Sequence, residues 1–383
     1  MLHKKAWQLA ACCVVTALLT TVTILGVEGV LLQKLTGSAS ESVRLLRTLH
    51  LLKRNYNGEL DNHMLFDGAI KGMVESVGDP YTVYLNSKDF QQLNDMTNGS
   101  FGGIGIVFGK RGDDYVVISA LPDNPGALAG IKSGDIIMSV DETPTRSLNM
   151  EQVAHKIRGK QGTEVLLELK GKDGQLRKVR VIRKEIKNPS VGGSLVPDTK
   201  IGYIRVAVFN ENTVEDFTKE YKKLEDQGME SLILDLRGNP GGILDAGVGV
   251  ARMLVPKGPI VSVIDKDGNK FVENSYLEKV KYPLAVLVDH GSASASEIVA
   301  GAIKDTKAGK LFGVKTFGKG SVQSVYRLDS ETAVKITIAK YYTPSGVSIH
   351  NVGIEPDVVV ELPDTATTDV QLKAAVKYLS HLE

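Results

Sequence analysis

The sequence has little cysteine, and its two thiols lie side by side. Cys12 and Cys13 are the only cysteines among 383 residues. The chain after this apolar N-terminal segment therefore has no disulfide, no thiol chemistry and no cysteine-based metal site. The pattern H-E-x-x-H is also missing, and residues 265–268 are more typical of a hairpin turn than of a calcium loop. No metal and no organic cofactor are expected.

An excess of charge of one sign is also missing. Lysine and arginine number 46 against 45 acidic residues, a net charge of +1 at pH 7. No basic excess therefore indicates a nucleic acid as partner. The length predicts two or three domains. The 39 glycines, many of them in short loops between apolar runs, suit mixed α and β structure with many tight turns.

One long hydrophobic run is present, and it lies at the N-terminus. Residues 6–27 carry no charge and follow a basic segment, residues 3–5. A run of about 20 apolar residues crosses a bilayer as a helix, and the basic flank predicts that the N-terminus stays in the cytoplasm. A cleaved signal peptide is the alternative, although no A-x-A site follows the run. Residues 1–35 are thus predicted to form a single-pass anchor in the cell membrane, with the rest of the chain extracytoplasmic.

Three further regions follow the predicted anchor. Residues 36–95 contain two stretches with apolar residues at helical spacing. Residues 96–186 contain short β runs around one helical stretch. Residues 187–383 begin with a linker and then alternate strands and helices, which indicates a sheet covered by helices. The later strands LFGVKT, SVQSVYRL and TAVKITIAKYY are predicted to be hairpin-connected additions. The predicted fold class is mixed α/β and multidomain: a transmembrane helix, a small helical region, a β-rich module and an α/β core with a C-terminal helix.

A serine-rich turn follows a buried strand of the predicted core. The run PLAVLVD is followed within two residues by GSASASE, which contains Ser292, Ser294 and Ser296. A helix that begins near Ser294 would direct its free amides and the positive end of its dipole at a developing oxyanion, as a nucleophilic serine requires. A helix N-cap is the alternative, because serine is common there. This segment alone leaves both interpretations open.

A lysine in a separate glycine-rich loop is the candidate base. Lys319 lies between two glycines in TFGKGSVQ, and its neighbour Phe317 suggests an apolar loop that turns the lysine inward. Most lysines are instead solvated. Burial lowers a lysine pKa from about 10.4 towards the range of about 7–8 that suits a general base. Gln323 offers an amide to orient the amine. His290, close to Ser294, is the rival base.

Two other patterns point to different chemistry. Residues 313–319 match G-x-x-x-x-G-K of a phosphate-binding loop, but Gly320 stands where serine or threonine would bind magnesium, and the next segment alternates like a strand. Residues 237–242, RGNPGG, resemble the serine motif of trypsin-like proteases, but Pro240 occupies the serine position. Gly241 and Gly242 can still present amides. This loop also follows a buried strand, so we expect it to meet the serine loop at one sheet edge.

Several motifs in the right order resemble the carboxyl-terminal processing proteases, also called tail-specific proteases. They are GDPYTVYL, LDLRGNPGG, GSASASE, FGKGSVQ and TPSGVSIHNVGIEPD, and the resemblance extends from about residue 40 to the end. It implies that Ser294 is the nucleophile, that Lys319 is the general base and that Gln323 positions the lysine. It also implies oxyanion amides from Ala295 and Gly241.

Residues 101–186 resemble a PDZ domain, chiefly through LPDNPGALAGIKSGDIIMSVD. Gly103, Ile104, Gly105 and Ile106 stand where such domains bind a peptide's C-terminal carboxylate while the peptide adds as a strand. A strand entry with glycines for a turn is the other interpretation. Arg158 is a candidate polar contact between this module and the protease or the peptide.

The resemblance implies a serine endopeptidase with a Ser/Lys dyad. It would recognise the C-terminal tails of unfolded or partly folded proteins through the PDZ domain and cleave them in the cell envelope. The expected partners are such tails, the membrane, a second copy of the chain bound through the helical region and an activating protein. The alternative is a catalytically silent PDZ adaptor, against which the complete set of serine, lysine and glutamine argues.

Overall fold

A computed structural model describes residues 30, 33–34, 36–187, 189–363 and 368–382. The chain divides into two compact units, one that ends at Met73 and one that begins at Val74. Helix α1, Ala39–Asn55, begins after Ser38, whose hydroxyl accepts a hydrogen bond from the amide of Glu41. Helix α2, Asn62–Glu75, follows. Both helical stretches predicted at the start of residues 36–95 are therefore helices, whereas the domain boundaries stay predictions.

The predicted transmembrane helix is not part of the observed fold class. Residues 6–27 lie outside the described residues, and within the described ranges no helix is both long and apolar enough to cross a membrane. Helix α1 has only 17 residues and ends in the basic pair Lys53 and Arg54. The fold class is corrected accordingly to mixed α/β and multidomain without that helix. The extracytoplasmic location remains a prediction.

A β-rich module occupies the first part of the second unit. Its sheet has the order β3-β4-β5-β7-β8, with β6 beside β5. Alternate residues of the strands, such as Val165, Leu167 and Leu169, are buried against Val153 and Ile157 of helix α5. Two elements, β1 (Val83–Leu85) and α3 (Ser87–Asn98), precede the module. The elements of the module are, in chain order, β2 (Ser100–Gly103), β3 (Ile106–Arg111), β4 (Asp114–Ala120), α4 (Pro125–Leu128), β5 (Ile136–Val140), β6 (Thr143–Pro144), a 3-10 turn (Thr145–Ser147), α5 (Met150–Ile157), β7 (Glu164–Lys170), β8 (Leu176–Ile182) and β9 (Lys184–Lys187).

Strands β2 and β9 carry the chain into and out of this module. They pair antiparallel with each other, so that Gly103 lies opposite Lys184. A side chain at Gly102 would collide with the carbonyl of Gly159, which explains glycine at this position. Arg183, buried at the start of β9, donates to the carbonyl of Ile157 at 2.9 Å and so closes the end of α5.

The core follows the module and has two sheets. In chain order its elements are β10 (Val191–Leu195), β11 (Ile201–Val206), α6 (Thr213–Asp226), β12 (Ser231–Asp235), α7 (Leu244–Leu254), β13 (Gly258–Asp265), β14 (Lys270–Ser275), β15 (Leu284–Val288), α8 (Ala295–Asp305), β16 (Lys310–Gly313), β17 (Ser321–Arg327), β18 (Ala333–Tyr342), β19 (Val358–Val359) and α9 (Val370–Leu379). The main sheet has the order β10-β11-β12-β15-β16-β19. All of its pairs are parallel except β10 with β11.

Helices cover both faces of the main sheet, as the alternating pattern predicts. Leu232 and Leu234 of β12 lie in the core formed with α6, α7 and α8, whereas Ile233 lies in the core formed with α9. Strands β12 and β15 are buried at every residue. Continuous apolar runs are expected for parallel strands that are covered on both faces.

The second sheet has the order β1-β18-β13-β14, with β17 also beside β18. Strands β17 and β18 form a hairpin, as their sequences predict. The segment LFGVKT, also predicted as a hairpin addition, is a different case. Its strand, β16, pairs in parallel with β15 and belongs to the main sheet, because its buried residues pack on the helices beside that strand. Strand β1, from before the module, returns to pair with β18.

An ion-pair network holds the C-terminal segment at the edge of the main sheet. Asp235, which is fully buried, accepts a bond of 2.6 Å from Arg237 and one of 2.7 Å from the hydroxyl of Tyr203. Arg237 also reaches Asp369, just before α9, at 2.8 Å. Burial first, and then the bond to Asp235, raise the pKa of Tyr203 to about 12. The phenol therefore stays a neutral donor.

We expect Arg237→Ala to lower the free energy of unfolding by about 3–5 kcal/mol, because it leaves the buried Asp235 carboxylate without its cation. The matched control is Arg252→Ala, which removes an ion pair with Glu273 at the surface. The Arg252 side chain is 42% exposed and the Glu273 side chain is 40% exposed. That change is expected to cost less than about 1 kcal/mol. Urea unfolding measures the free energy of unfolding of both variants. Equal decreases would contradict a stabilising role for the buried Asp235–Arg237 pair.

Candidate active site

The serine loop and the RGNPGG loop meet at one edge of the main sheet, as predicted. Strands β12 and β15 are parallel neighbours, so the loops that follow them leave at the same edge. The amide of Ala293 donates to the carbonyl of Asn239 at 3.0 Å. The amide of Gly238 donates to the carboxylate of Asp289 at 2.8 Å.

The two serines that flank Ser294 fix the loops to each other. The Ser292 hydroxyl donates to the carbonyl of Leu236 at 2.8 Å, and the Ser296 hydroxyl donates to the carbonyl of Asn239 at 3.0 Å. Both serines are fully buried. They therefore have a structural role, and Ser294 is the serine of this turn that lines a cavity.

Ser294 has a strained backbone at the start of helix α8. Its φ of +55° and ψ of −115° are rare for a residue with a side chain. Such outliers cluster at functional sites, because the surrounding structure must hold them in place. Ala295 is the first residue of α8, and amides in the first turn have no partner within a helix. Its predicted oxyanion role therefore suits its position.

Gly241 packs directly against the serine. A β-carbon at Gly241 would lie 2.7 Å from the β-carbon of Ser294 and 2.9 Å from the amide nitrogen of Ala295, and its φ is +95°. Only glycine fits there. In this structure the Gly241 amide donates to the side-chain oxygen of Asn239 at 2.8 Å, and Gly242 lines the same cavity. The oxyanion role of Gly241 stays a prediction.

A buried carboxylate that the sequence reasoning missed joins the serine to the lysine loop. Glu297 is fully buried. Its Oε2 accepts the amides of Ser294 and Lys319, each at 2.9 Å. Its Oε1 accepts the hydroxyl of Thr316 at 2.6 Å and the amide of Gly318 at 2.7 Å. The pattern S-x-x-E, from Ser294 to Glu297, was the available signal.

Lys319 is half-buried in the cavity that Ser294 lines. Burial first, and then the positive charge of Lys335, lower the pKa of Lys319, while the carboxylates of Glu297 and Asp79 act in the opposite direction. The ammonium lies 5.2 Å from the centroid of the Tyr81 ring. Among the described residues, Ser294 and Lys319 make no direct side-chain hydrogen bond.

The remaining walls of this cavity are largely apolar. Its volume is about 420 Å³, and its apolar lining consists of Leu93, Met96, Val208, Phe209, Pro240, Ile243, Leu244, Ile298, Val322 and Val325. Gln323 also lines it, but its amide donates to the hydroxyls of Ser321 at 2.9 Å and Thr337 at 3.3 Å. Its role in orienting the lysine stays a prediction.

Tyr341 is a second residue that the sequence reasoning missed. Its buried hydroxyl donates to the backbone carbonyl of Lys319, and Tyr341 lines the same cavity as Ser294. Burial first, and then the negative charge of Glu297, raise the pKa of Tyr341 well above its ordinary value. The phenol therefore stays protonated and helps to hold the lysine loop beside the serine.

The two rival interpretations fit this geometry poorly. His290 is exposed and is not among the residues that line the cavity. Residues 313–319, which match a phosphate-binding loop, lead into strand β17 rather than into a helix. A phosphate-binding loop needs the helix N-terminus that follows it, so the nucleotide-binding hypothesis has no support here.

The predicted peptide-binding residues lie where strand β3 begins. Gly103 ends β2, Ile104 is buried, Gly105 has a φ of +70° and Ile106 starts β3. Strand β3 is at the edge of its sheet and therefore suits the addition of a peptide strand. This role stays a prediction.

Arg158 immediately follows helix α5, where it caps the helix. Its guanidinium lies 4.3 Å from the centroid of the Phe101 ring, on the strand that carries the chain into the module. The residue is thus at the junction between module and core. Its contact with a peptide stays a prediction.

We expect Glu297→Gln to lower kcat/KM by about 10-fold or more, because an amide NH₂ replaces one carboxylate oxygen, faces two of the four donors and so displaces the loops of Ser294 and Lys319. The free energy of unfolding should fall by about 1–3 kcal/mol. The control is Glu355→Gln, an exposed glutamate 3.0 Å from Lys315. A folded Glu297→Gln variant with normal activity would show that the carboxylate does not position the site.

Three family models match successive segments of the chain. Residues 200–360 match the model of peptidase family S41, residues 116–171 match a PDZ domain, and residues 31–89 match the N-terminal domain of the activating protease CtpB. The first of these matches contains both loops of the candidate site.

Relatives over nearly the whole chain point to the same family. The carboxy-terminal processing protease CtpA of Bacillus subtilis is 36% identical over 92% of this chain and 76% of its own length. CtpB of the same organism is 35% identical over 87% of this chain and 71% of its own length. The solved structure of a photosystem II D1 C-terminal processing protease has a TM-score of 0.50 and 33% identity, and covers 87% of this chain and 90% of its own. This chain therefore belongs to the carboxy-terminal processing proteases of peptidase family S41 and is a serine-type C-terminal processing peptidase with a PDZ domain.

Proposed function

We propose that Ser294 and Lys319 are the catalytic dyad of this peptidase and that its PDZ domain captures the C-terminal tails of unfolded or partly folded proteins. The observation that carries the proposal is one cavity lined by a strained serine at a helix N-terminus and by a lysine whose pKa is lowered by burial. Both features are those of an activated nucleophile and its base.

In this mechanism the neutral amine of Lys319 takes the proton of the Ser294 hydroxyl as the oxygen attacks the scissile carbonyl. The amide of Ala295 and an amide of the loop at Gly241 and Gly242 stabilise the oxyanion. Lys319 then gives the proton to the leaving amine, which departs with the C-terminal part of the substrate. Water hydrolyses the acyl-enzyme with the same lysine as base.

Two features support tails of unfolded proteins as substrates. The cavity beside Ser294 has apolar walls, which suits the side chains that unfolded chains expose. The edge strand β3 offers backbone groups to an extended peptide, whatever its side chains. Action in the cell envelope belongs to the same proposal and rests on the sequence of residues 3–27.

Control by a partner belongs to the proposal as well. The match of residues 31–89 to the N-terminal domain of an activating protease supports a regulatory role for the helical region. An activating protein and a second copy of this chain are the two candidates for what binds there. Solution mass measurements with and without candidate proteins distinguish them.

We expect Ser294→Ala and Lys319→Ala each to lower kcat/KM for an unfolded protein with an apolar C-terminus by about 10³-fold or more. Lys315→Ala, in the same loop but paired with Glu355 at the surface, is the control and should retain activity. The assay uses the full chain, with folding checked by circular dichroism.

Near-normal activity of a folded Lys319→Ala variant would exclude the dyad. If the wild type is as inactive as both variants, the choice narrows to a gated protease without its activating protein or a PDZ adaptor. Reaction of Ser294 with a serine-directed phosphonate would support the gated protease.

We expect amidation of the substrate's C-terminus to raise KM by about 10-fold or more, because charge-assisted hydrogen bonds to the carboxylate are lost. The same substrate with a blocked N-terminus is the control and should be cleaved normally. Steady-state kinetics with the wild type measures both. Equal KM values for free and amidated tails would show that the PDZ domain does not read the carboxylate.

A further inference from the structure

The motif GDPYTVYL, which the catalytic scheme leaves without a role, lies against the lysine loop. Strand β1 of this motif pairs with β18, and the amide of Thr337 donates to the hydroxyl of Thr82 at 3.1 Å. Asp79 accepts the Thr82 hydroxyl at 2.7 Å and the amide of Tyr81 at 3.2 Å. The backbone that carries Tyr81 is therefore fixed to the same sheet as the lysine loop.

The ammonium of Lys319 lies over the ring of Tyr81. The distance of 5.2 Å between the nitrogen and the ring centroid is within the range of a cation–π interaction. The lysine backbone is held by Glu297 through its amide and by Tyr341 through its carbonyl. The side chain is thus the part of Lys319 that is free to move between the ring and Ser294.

We propose that Tyr81 is a positioning residue for Lys319, whose ring holds the protonated side chain away from the Ser294 hydroxyl and releases the neutral amine towards it. The inference rests on the proposed function, in which Lys319 is the base. A ring face attracts a cation and has no comparable attraction for a neutral amine. Loss of the proton therefore frees the side chain at the moment when it becomes able to accept the serine proton.

The sign of the pH effect follows from the groups that face the lysine. Burial and Lys335 of β18 favour the neutral amine, whereas Glu297 of α8 and Asp79 favour the ammonium. The ring of Tyr81 also favours the ammonium. His350 contacts that ring at a centroid distance of 6.4 Å. Removing the ring destabilises the ammonium, so the pKa of Lys319 falls further. Activity, which needs the neutral amine, then appears at lower pH.

The test is the pH dependence of kcat/KM between about pH 6 and about pH 10 for the full chain with an unfolded substrate. Tyr81→Leu should move the acid limb of this profile, the rise of kcat/KM with pH, to lower pH by about 0.4–1.5 pH units. This range corresponds to the strength of a cation–π contact. Tyr81→Phe keeps the ring face and should leave the limb within about 0.3 pH units of the wild type. Tyr84→Leu, on the adjoining strand β1, is the matched control and should leave the limb in place.

Tyr81→Met replaces the leucine variant if that variant does not fold. A fall in activity without movement of the acid limb would overturn the inference and leave Tyr81 a purely structural residue. Lys319→Ala in the same series separates the two hypotheses. If it stays active with the wild-type limb, the proposed dyad itself is wrong. If it is inactive while Tyr81→Leu keeps the wild-type limb, only the role of Tyr81 is wrong.

Discussion

One buried carboxylate connects the two loops on which the chemistry depends. One oxygen of Glu297 accepts hydrogen bonds from the amides of both Ser294 and Lys319. The other oxygen accepts a hydrogen bond from the amide of Gly318 in the lysine loop. A buried carboxylate is costly unless every lone pair is satisfied, and here four donors satisfy it. Through these bonds the relative position of Ser294 and Lys319, the proposed nucleophile and base, depends on Glu297, a residue to which the proposal assigns no chemical step.

The main sheet provides the rigid support for this arrangement. The parallel strands β12 and β15 deliver both loops to one edge, and the fully buried side chains of Ser292 and Ser296 tie the loops together. Rigid support suits catalysis, because small displacements of reacting groups cost large factors in rate. In the proposed scheme the part that moves is the Lys319 side chain, between the Tyr81 ring and Ser294.

The β-rich module is inserted between two parts that pack together. Strand β1 precedes the module yet pairs with β18 of the core. Helix α3 follows β1 and contributes Leu93 and Met96 to the wall of the active-site cavity. The entry strand β2 follows α3 directly and pairs with the exit strand β9. The module and a wall of the cavity are thus joined by one short stretch of chain.

The sequence alone determined the order of the elements and the family, and it singled out Ser294 and Lys319 as candidates for the dyad, because buried strands, glycine turns and serine turns leave local patterns. It misled where local pattern lacks spatial context. LFGVKT has the pattern of a hairpin strand, but its neighbours place it in the main sheet, and no described helix supports the predicted transmembrane anchor. Only the tertiary structure showed the contacts of Glu297, Tyr341 and Tyr81. Tyr81 and Lys319 are far apart along the chain, and a carboxylate or a ring reveals its partner only when folding brings the two together.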